Sequence, residues 1–403
     1  MKKILFLSAI DFKDKSIQVI KKTPEFYGKS NWEVDYIVAR DTSKVGNYYY
    51  ESIVDISNIN VQRFNWSFEK KRASKNRVIS LFFSKIASFV VIFRLFILGF
   101  KACWKKEYEY IYGYEMQGVI ASNILKIFFR KKKYIARFQG VYYIKEHLKN
   151  KRYLNLLFNL DVLIALWLPS NLLVMTDDGT QGDRILKKIK SKSLKNLLFI
   201  SNGVEKIDEK FLYNLDENNN KPYFILVSRL VKTKRVHLLI DSFYKFINKN
   251  GRNFDYRFLI VGDGPELENL KKMVKDFDVE KYFEFRGAVS NIEVYNLIYN
   301  ASAIFSLYES SNIGNPFFEA MQCGTPMFAV NNGDTSKFIN NGYNGLLIDE
   351  SNITNEIILI LNKILDNEIN IENLSLNAKK YADEYILSWE QRLQKEMQRV
   401  NLI

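Results

Sequence analysis

Two successions of short apolar runs, each alternating with longer helix-forming stretches, constrain this chain more than any other feature. In the first half, "KILFLSA", "WEVDYIV", "YEYIYGY", "KKYIARF", "DVLIALW" and "NLLFISN" are apolar segments with the length of buried strands. Between them lie stretches such as "MQGVIASNILKIFFR", with apolar residues three and four apart. The second half repeats the scheme with "YFILVSR", "YRFLIVG", "KYFEFRG", "SAIFSLY" and "PMFAV" as strands. Its helices read "RVHLLIDSFYKFINKN" and "PELENLKKMVKDF". Strands joined through helices pair in parallel and are covered on their faces, which defines an α/β class.

Between the two successions, "NGVEKIDEKFLYNLDENNNKPY" shifts to Asn, Asp, Glu and Lys and is the expected linker. At 403 residues the chain is too long for one core. The expectation is two Rossmann-like, doubly wound domains, residues 1–204 and 205–385, with a cleft at their strand carboxyl ends. The charged amphipathic tail "SWEQRLQKEMQRVNLI" makes residues 386–403 a helix crossing back to the first domain.

Composition narrows the function classes. Only Cys103 and Cys323 are present, which excludes a disulfide framework or a cysteine-built metal site and fits a reducing compartment. The opening "MKKILFLSAIDF" meets Asp11 too early for a signal peptide and reads as a first buried strand. The apolar region from Val78 to Phe100 is interrupted by Lys85 and Arg94, short of the ~18 uncharged residues of a membrane span. A long, mostly buried helix is expected there, with a helix lying in a membrane interface as the alternative. Residues 1–205 carry 36 Lys+Arg and 18 Asp+Glu, net +18, whereas residues 206–403 are net −4, which gives the total of +14. A uniform lysine bias would not split this way, so the first half faces something anionic.

Three stretches could carry chemistry. In "VSRLVKTKRVHLLI", Arg229 and Lys234 follow a strand, where two cations suit a diphosphate, although an ordinary basic loop has the same pattern. "LIVGDGPELENL" holds Gly262 and Gly264 in a turn, with Leu267 where a dinucleotide fingerprint needs its third glycine, so a structural turn is favoured. "ESSNIGNPFFEAMQCGTP" leaves the strand "SAIFSLY" with Asn315 as N-cap, Pro316 as first helical residue and Gly324 as stop. Its helix end offers amides to an anion, and Glu319 either accepts bonds from a diol or complements the helix dipole.

The ordered set "VSRLVKTK", "VGDGPE", "FRGAVSN", "GNPFFEAMQCGTP" and "NNGDTSKFINNGYNGLLI" closely resembles the retaining glycosyltransferases of family 4, also called group 1. Earlier "IYGYEMQGV", "ARFQGVYY", "MTDDGTQGD" and "SNGVE" resemble its bacterial members. The resemblance implies the GT-B fold and transfer of a hexosyl group, with retention, from a UDP-sugar or GDP-sugar. A glycan or a polyprenyl-diphosphate-linked acceptor, a role in bacterial surface polysaccharide biosynthesis, and no metal or cofactor are implied as well. The chain would be cytoplasmic, peripheral on the inner membrane where its basic half meets an anionic surface.

By the same resemblance, Arg229 and Lys234 hold the donor diphosphate and Glu319 the ribose. Backbone at Arg286 and Gly287 meets the base, with Gly262, Gly314, Asn315 and Phe317 completing the donor contacts. Glu309 corresponds to the glutamate that reaches the donor sugar. Glu309 and Glu319, however, have nine residues between them, two more than the family's pair. Either Glu309 still reaches in, or Ser311 and Asn312 take its place. Gln139 stands where many relatives have a histidine near the acceptor, and Glu115, Arg137 and Asp178 are expected on the acceptor side. "DFD" at Asp276–Asp278 looks like a metal-binding D-x-D but closes a helix pattern. A basic nucleic-acid- or membrane-binding protein is the competing class, and no nucleic-acid signature accompanies the charge. A transferase-like protein without activity and a nucleotide-sugar epimerase are the remaining alternatives.

Overall fold

A computed structural model describes residues 1–12, 19–44, 52–67, 77–141, 144, 159–190, 196–205, 222–251 and 254–403. Most of the expected linker, and His147, lie outside the described residues. The chain divides into two compact units. The first comprises Met1–Asp177, Gln181–Asn202 and Trp389–Ile403, and the second Asp178–Thr180 and Gly203–Ser388.

The first unit is built on a parallel seven-stranded sheet ordered β3-β2-β1-β4-β5-β6-β7. Its strands are β1 (Lys3–Ser8), β2 (Glu33–Asp41), β3 (Asn60–Trp66), β4 (Tyr110–Tyr114), β5 (Lys133–Phe138), β6 (Leu172–Thr176) and β7 (Leu197–Ile200). Helices α1 (Val19–Lys29), α2 (Arg77–Lys105), α3 (Glu115–Phe128), α4 (Leu160–Trp167) and α5 (Gly182–Ile189) accompany it. The order reverses between β1 and β4, because the chain first winds outward through β2 and β3 and then returns past β1.

The second unit has a six-stranded parallel sheet, β10-β9-β8-β11-β12-β13, which reverses between β8 and β11. Here β8 (Tyr223–Val227), β9 (Arg257–Val261), β10 (Phe283–Gly287), β11 (Ala303–Ser306), β12 (Met327–Val330) and β13 (Gly345–Ile348) alternate with helices. These are α6 (Val236–Asn250), α7 (Leu267–Asp276), α8 (Asn291–Tyr299), α9 (Asn315–Cys323), α10 (Thr335–Phe338), α11 (Ile353–Leu365) and α12 (Ile371–Tyr385). Each sheet is buried on both faces, Phe224, Phe258, Phe305 and Phe328 packing on one side of the second and Ile225, Leu259 and Met321 on the other.

The last helix, α13 (Trp389–Asn401), returns to the first unit and sets Trp389, Leu393 and Val400 into the core around Phe6, Tyr27 and Tyr112. It also brings a buried ion pair. Arg392 and Glu396 are both fully buried, 2.5 Å apart, and the Tyr112 hydroxyl donates to Glu396 at 2.6 Å.

Three expectations are corrected. "DVLIALW" is not a strand but α4, and the strand β6 lies beyond it in "LLVMT". A wholly apolar run of this length has no period to separate the two states. Helix α2 forms, yet it is not mostly buried. Only 22 % of its most apolar window is covered by the protein. The third correction is local, with α9 starting at Asn315 and capped by Gly314.

Candidate active site

The switch point of the second sheet gathers the chemistry. Loops leaving adjacent strands diverge where the order reverses, and a crevice opens at their carboxyl ends. The loop after β8 carries Arg229 and Lys234, and the loop after β11 carries Glu309 through Glu319. They are tied directly, since the Glu309 amide donates to the Thr233 carbonyl at 3.0 Å. Tyr308 joins them as well. Its hydroxyl donates to the Val227 carbonyl at 2.7 Å, and the Lys234 Nζ lies 3.3 Å from its ring centroid.

Two charges at this crevice are desolvated without compensation. Burial pulls the Lys234 ammonium down to about 8 from its ordinary 10.5. Burial likewise pushes the Glu319 carboxyl up to about 7 from 4.5. No described residue forms a hydrogen bond or ion pair with either side chain's charged group apart from the Tyr308 ring under Lys234. A fold that desolvates an acid and a base separately, rather than pairing them, leaves both for something that arrives. Arg229 stands exposed at the mouth of the same loop.

The loop after β8 is held in place by the glycine turn after β9. The Gly262 backbone has φ 131°, and a Cβ there would lie 1.9 Å from the Ser228 carbonyl oxygen. The Leu230 amide donates to Asp263 O at 2.9 Å and the Glu266 amide returns to Leu230 O at 3.1 Å. Gly262 therefore acts by allowing close backbone approach. Farther along the sheet, Arg286 is exposed at the end of β10 and pairs with Glu284, and Gly287 follows with φ 69°.

In the loop after β11, Asn312 is 2 % exposed and uses its whole amide. Its Oδ1 accepts from Ser306 Oγ and the Tyr308 amide at 2.7 and 2.9 Å, and its Nδ2 donates to Val330 O at 2.8 Å and Asn332 Oδ1 at 3.0 Å. Ser311 donates through Oγ to the Asp178 carbonyl at 2.7 Å, while Glu309 is exposed at the edge of the crevice. Of the two candidates for the first glutamate position, Ser311 is thus engaged by protein and Glu309 faces outward. Phe317 turns its ring into the core against Phe318 and Phe338.

The helix end is a weaker anion site than its sequence suggests. Pro316 has no amide, and those of Phe317 and Phe318 turn back to the Gly314 carbonyl at 3.0 and 3.3 Å. Gly324 ends the helix in the left-handed region at φ 75°, as expected of a C-terminal stop.

Two of the residues expected on the acceptor side come together. Glu115 begins α3 at the first sheet's switch point, with φ 52°, and its carboxylate accepts from the Gln139 amide at 2.7 Å. These two meet at the carboxyl ends of β4 and β5. Arg137 does not join them, being fully buried beside Thr176, to which Nη2 donates at 2.6 Å. Asp178 belongs to the second unit, where its carboxylate accepts from the Thr180 amide at 3.0 Å. Tyr308 was the residue missed, and its only signal was an aromatic ring ending the strand run "SAIFSLY". Asp276 ends α7 and Asp278 has φ 52°, so "DFD" is a helix terminus. Among the described residues, no group of three or more His, Cys, Asp or Glu side chains could hold a metal ion.

Two Rossmann-like parallel sheets define the fold of the GT-B glycosyltransferases. The chain aligns over its whole length with sucrose-phosphate synthase from Thermosynechococcus elongatus, covering 99 % of that chain at 15 % identity and TM-score 0.73. It also aligns over all of Anabaena HepE in complex with UDP-glucose, at 14 % identity and TM-score 0.67. Residues 208–383 match the family model described as glycosyl transferases group 1. An uncharacterized glycosyltransferase of Methanocaldococcus jannaschii is 28 % identical over 221 residues, 52 % of this chain and 57 % of that protein. The chain spans about half the length of the curated relatives it matches.

Proposed function

We propose that the protein transfers a hexosyl group from a UDP-sugar or GDP-sugar to a glycan or polyprenyl-diphosphate-linked acceptor, with retention of configuration. The observation that carries the reading is Glu319, a desolvated carboxylate without a hydrogen-bond or ion-pair partner among the described residues, at the same switch point as Lys234, whose ammonium rests only on the Tyr308 ring. A nucleotide sugar supplies what each lacks. Its ribose offers two adjacent hydroxyls to the carboxylate, and its diphosphate offers charge to Lys234 and Arg229. The complex of HepE with UDP-glucose supports a donor of this type.

In the reaction the sugar–phosphate bond breaks and negative charge accumulates on the departing diphosphate. Lys234 and Arg229 stabilise that charge, and a preorganised group of this kind contributes roughly 10²–10³ in rate. Lys234, partly deprotonated when the crevice is empty, becomes fully charged once the diphosphate arrives. Glu309, at the crevice edge, reaches the sugar. Retention follows when the acceptor attacks from the face the diphosphate leaves, its proton passing to the departing phosphate oxygen. Glu115 and Gln139 then orient the acceptor at the first unit's switch point. No metal is required in this reading, so EDTA leaves the rate unchanged. A role in bacterial surface polysaccharide biosynthesis, at the cytoplasmic side of an anionic membrane, fits the basic first half.

A thermal-shift panel of nucleotide sugars tests it. One donor present at 100 Kd stabilises the protein by about 2.7 kcal/mol, and Glu319→Ala abolishes the shift. A panel in which no nucleotide sugar raises the transition temperature sinks the donor reading. Proton NMR of the product tests retention, and a product of opposite anomeric configuration overturns it.

A further inference from the structure

Helix α2 is apolar on every side, and only one side is used by the fold. Val91, Ile92, Leu95 and Cys103 pack against Leu5, Leu7 and Ile37 of the first sheet. On the opposite side Phe82, Phe89, Phe93 and Trp104 are 61, 68, 52 and 77 % exposed. They recur at helical spacing and form one stripe along the helix. A helix this apolar is ordinarily enclosed, yet only 22 % of its window is covered here. At its end the stripe continues into α3, where the exposed Phe128 ring lies 5.3 Å from that of Phe100.

Within α2 itself the charges have one sign. From Ile79 to Lys105 there is no acidic residue. Arg94, Lys101 and Lys105 are exposed and fall seven and four residues apart, along one flank of the stripe. Phe128 is followed two residues later by Arg130, Lys131, Lys132 and Lys133, four cations that outnumber the exposed Glu107 and Glu109 lining the same groove. Lys85, on the other flank, pairs with Asp161 of α4 at 2.7 Å, and α4 itself leaves Leu160, Ile164 and Trp167 exposed.

We propose that this face of the first unit, α2 with the Phe128–Lys133 corner, lies in the headgroup region of an anionic lipid bilayer. The aromatic stripe enters the acyl boundary while Arg94, Lys101, Lys105 and the basic corner meet lipid phosphates. Spanning is disfavoured because the second face of α2 is part of the sheet's core, and crossing would strip it from Leu5 and Leu7. A second copy is a poorer occupant, since an isologous contact would set the same cations against one another. The proposal stands on this surface alone and does not depend on the transferase reading.

Flotation of the full chain with phosphatidylcholine vesicles, with and without phosphatidylglycerol, tests it. The protein floats with the anionic vesicles only, and salt releases it. Lys101→Ala with Lys105→Ala weakens binding about 25-fold, at about fivefold for each cation near the surface. Phe89→Ser with Phe93→Ser loses more than about tenfold of the partitioning at an unchanged or higher transition temperature, because both rings are exposed. Glu319→Ala floats like the unsubstituted protein, which separates this surface from the donor site. Equal binding to neutral vesicles, or undiminished binding by the aromatic pair variant, overturns the proposal. So does retention through an alkaline carbonate wash, which means spanning, or a lipid-free dimer that the aromatic variant dissolves.

Discussion

Lys234 holds its ammonium 3.3 Å from the centroid of the Tyr308 ring, and Tyr308 is in turn pinned by its hydroxyl to the carbonyl of Val227. The cation therefore sits on a fixed aromatic platform instead of on a carboxylate. A ring attracts a cation without neutralising it, so the full charge remains available to an anion.

For Lys234 the folded pKa, about 8, is below the ordinary 10.5, so the unfolded chain binds the extra proton between these values. Stability of the ligand-free protein accordingly rises as pH increases from about 8 to 10.5, and Lys234→Met raises stability at pH 7 by about 1–3 kcal/mol. A bound diphosphate restores the proton. Calorimetry in buffers of different ionisation enthalpy should show proton uptake on donor binding above pH 8, with affinity falling up to about tenfold per pH unit. Lys234→Met should lower kcat/KM by about 10²–10³.

Glu319 has the opposite sign. Its carboxyl ionises near 4.5 when unfolded and near 7 when folded, so the folded state holds the extra proton in between. Ligand-free stability falls as pH rises from about 4.5 to 7 and is level above. Glu319→Gln should then be more stable than the unsubstituted protein by about 1–3 kcal/mol at pH 8, and no more stable at pH 4.5. Denaturant titrations at the two pH values measure this. In the same variant donor binding weakens about 10- to 100-fold, the loss of a charge-assisted bond.

Asn312 satisfies four separate groups between β11, β12 and their loops. Asn312→Ala leaves all four without it, and a loss of about 2–4 kcal/mol is expected. Donor affinity should fall with it because Tyr308, the platform of Lys234, loses the acceptor for its amide. Circular dichroism melts and the donor thermal shift read the two effects.

Gly262→Ala forces a methyl to within 1.9 Å of Ser228 O at φ 131°. The turn after β9 must shift, taking the Arg229 loop with it. A stability loss of about 2–3 kcal/mol is expected, together with a KM for donor raised more than kcat is lowered. Steady-state kinetics against donor concentration would show the split, and an unchanged KM would contradict it.

Much of this site could be read from residues alone, because strand-then-loop order determines which side chains reach a switch point. Arg229, Lys234, Glu309 and Glu319 are near the carboxyl ends of β8 and β11 for that reason. What the residues did not announce shares another cause. Arg137 and Asp178 sit within motifs as polar as their neighbours, and nothing in such a stretch says which way a side chain turns. Arg137 alternates into the buried face of β5, and the Asp178 segment is captured by Ser311 and by the Asp334 amide, which donates to Gly179 O at 3.0 Å. For α2, apolar content reported a helix but not a cover for it. The platform under Lys234 depended on a contact across 74 residues, from 234 to 308, which no local pattern encodes.

The return of α13 to the first unit also sets an order of assembly. Residues 203–388 form one nearly self-contained stretch and can fold as they leave the ribosome. The first unit begins emerging earlier, yet it waits for Trp389, Leu393 and the Arg392–Glu396 pair before Tyr112 has its partner and its core is closed. The half made first is thus the half finished last, and a ribosome that stalls before Trp389 releases a complete second unit attached to an open first one.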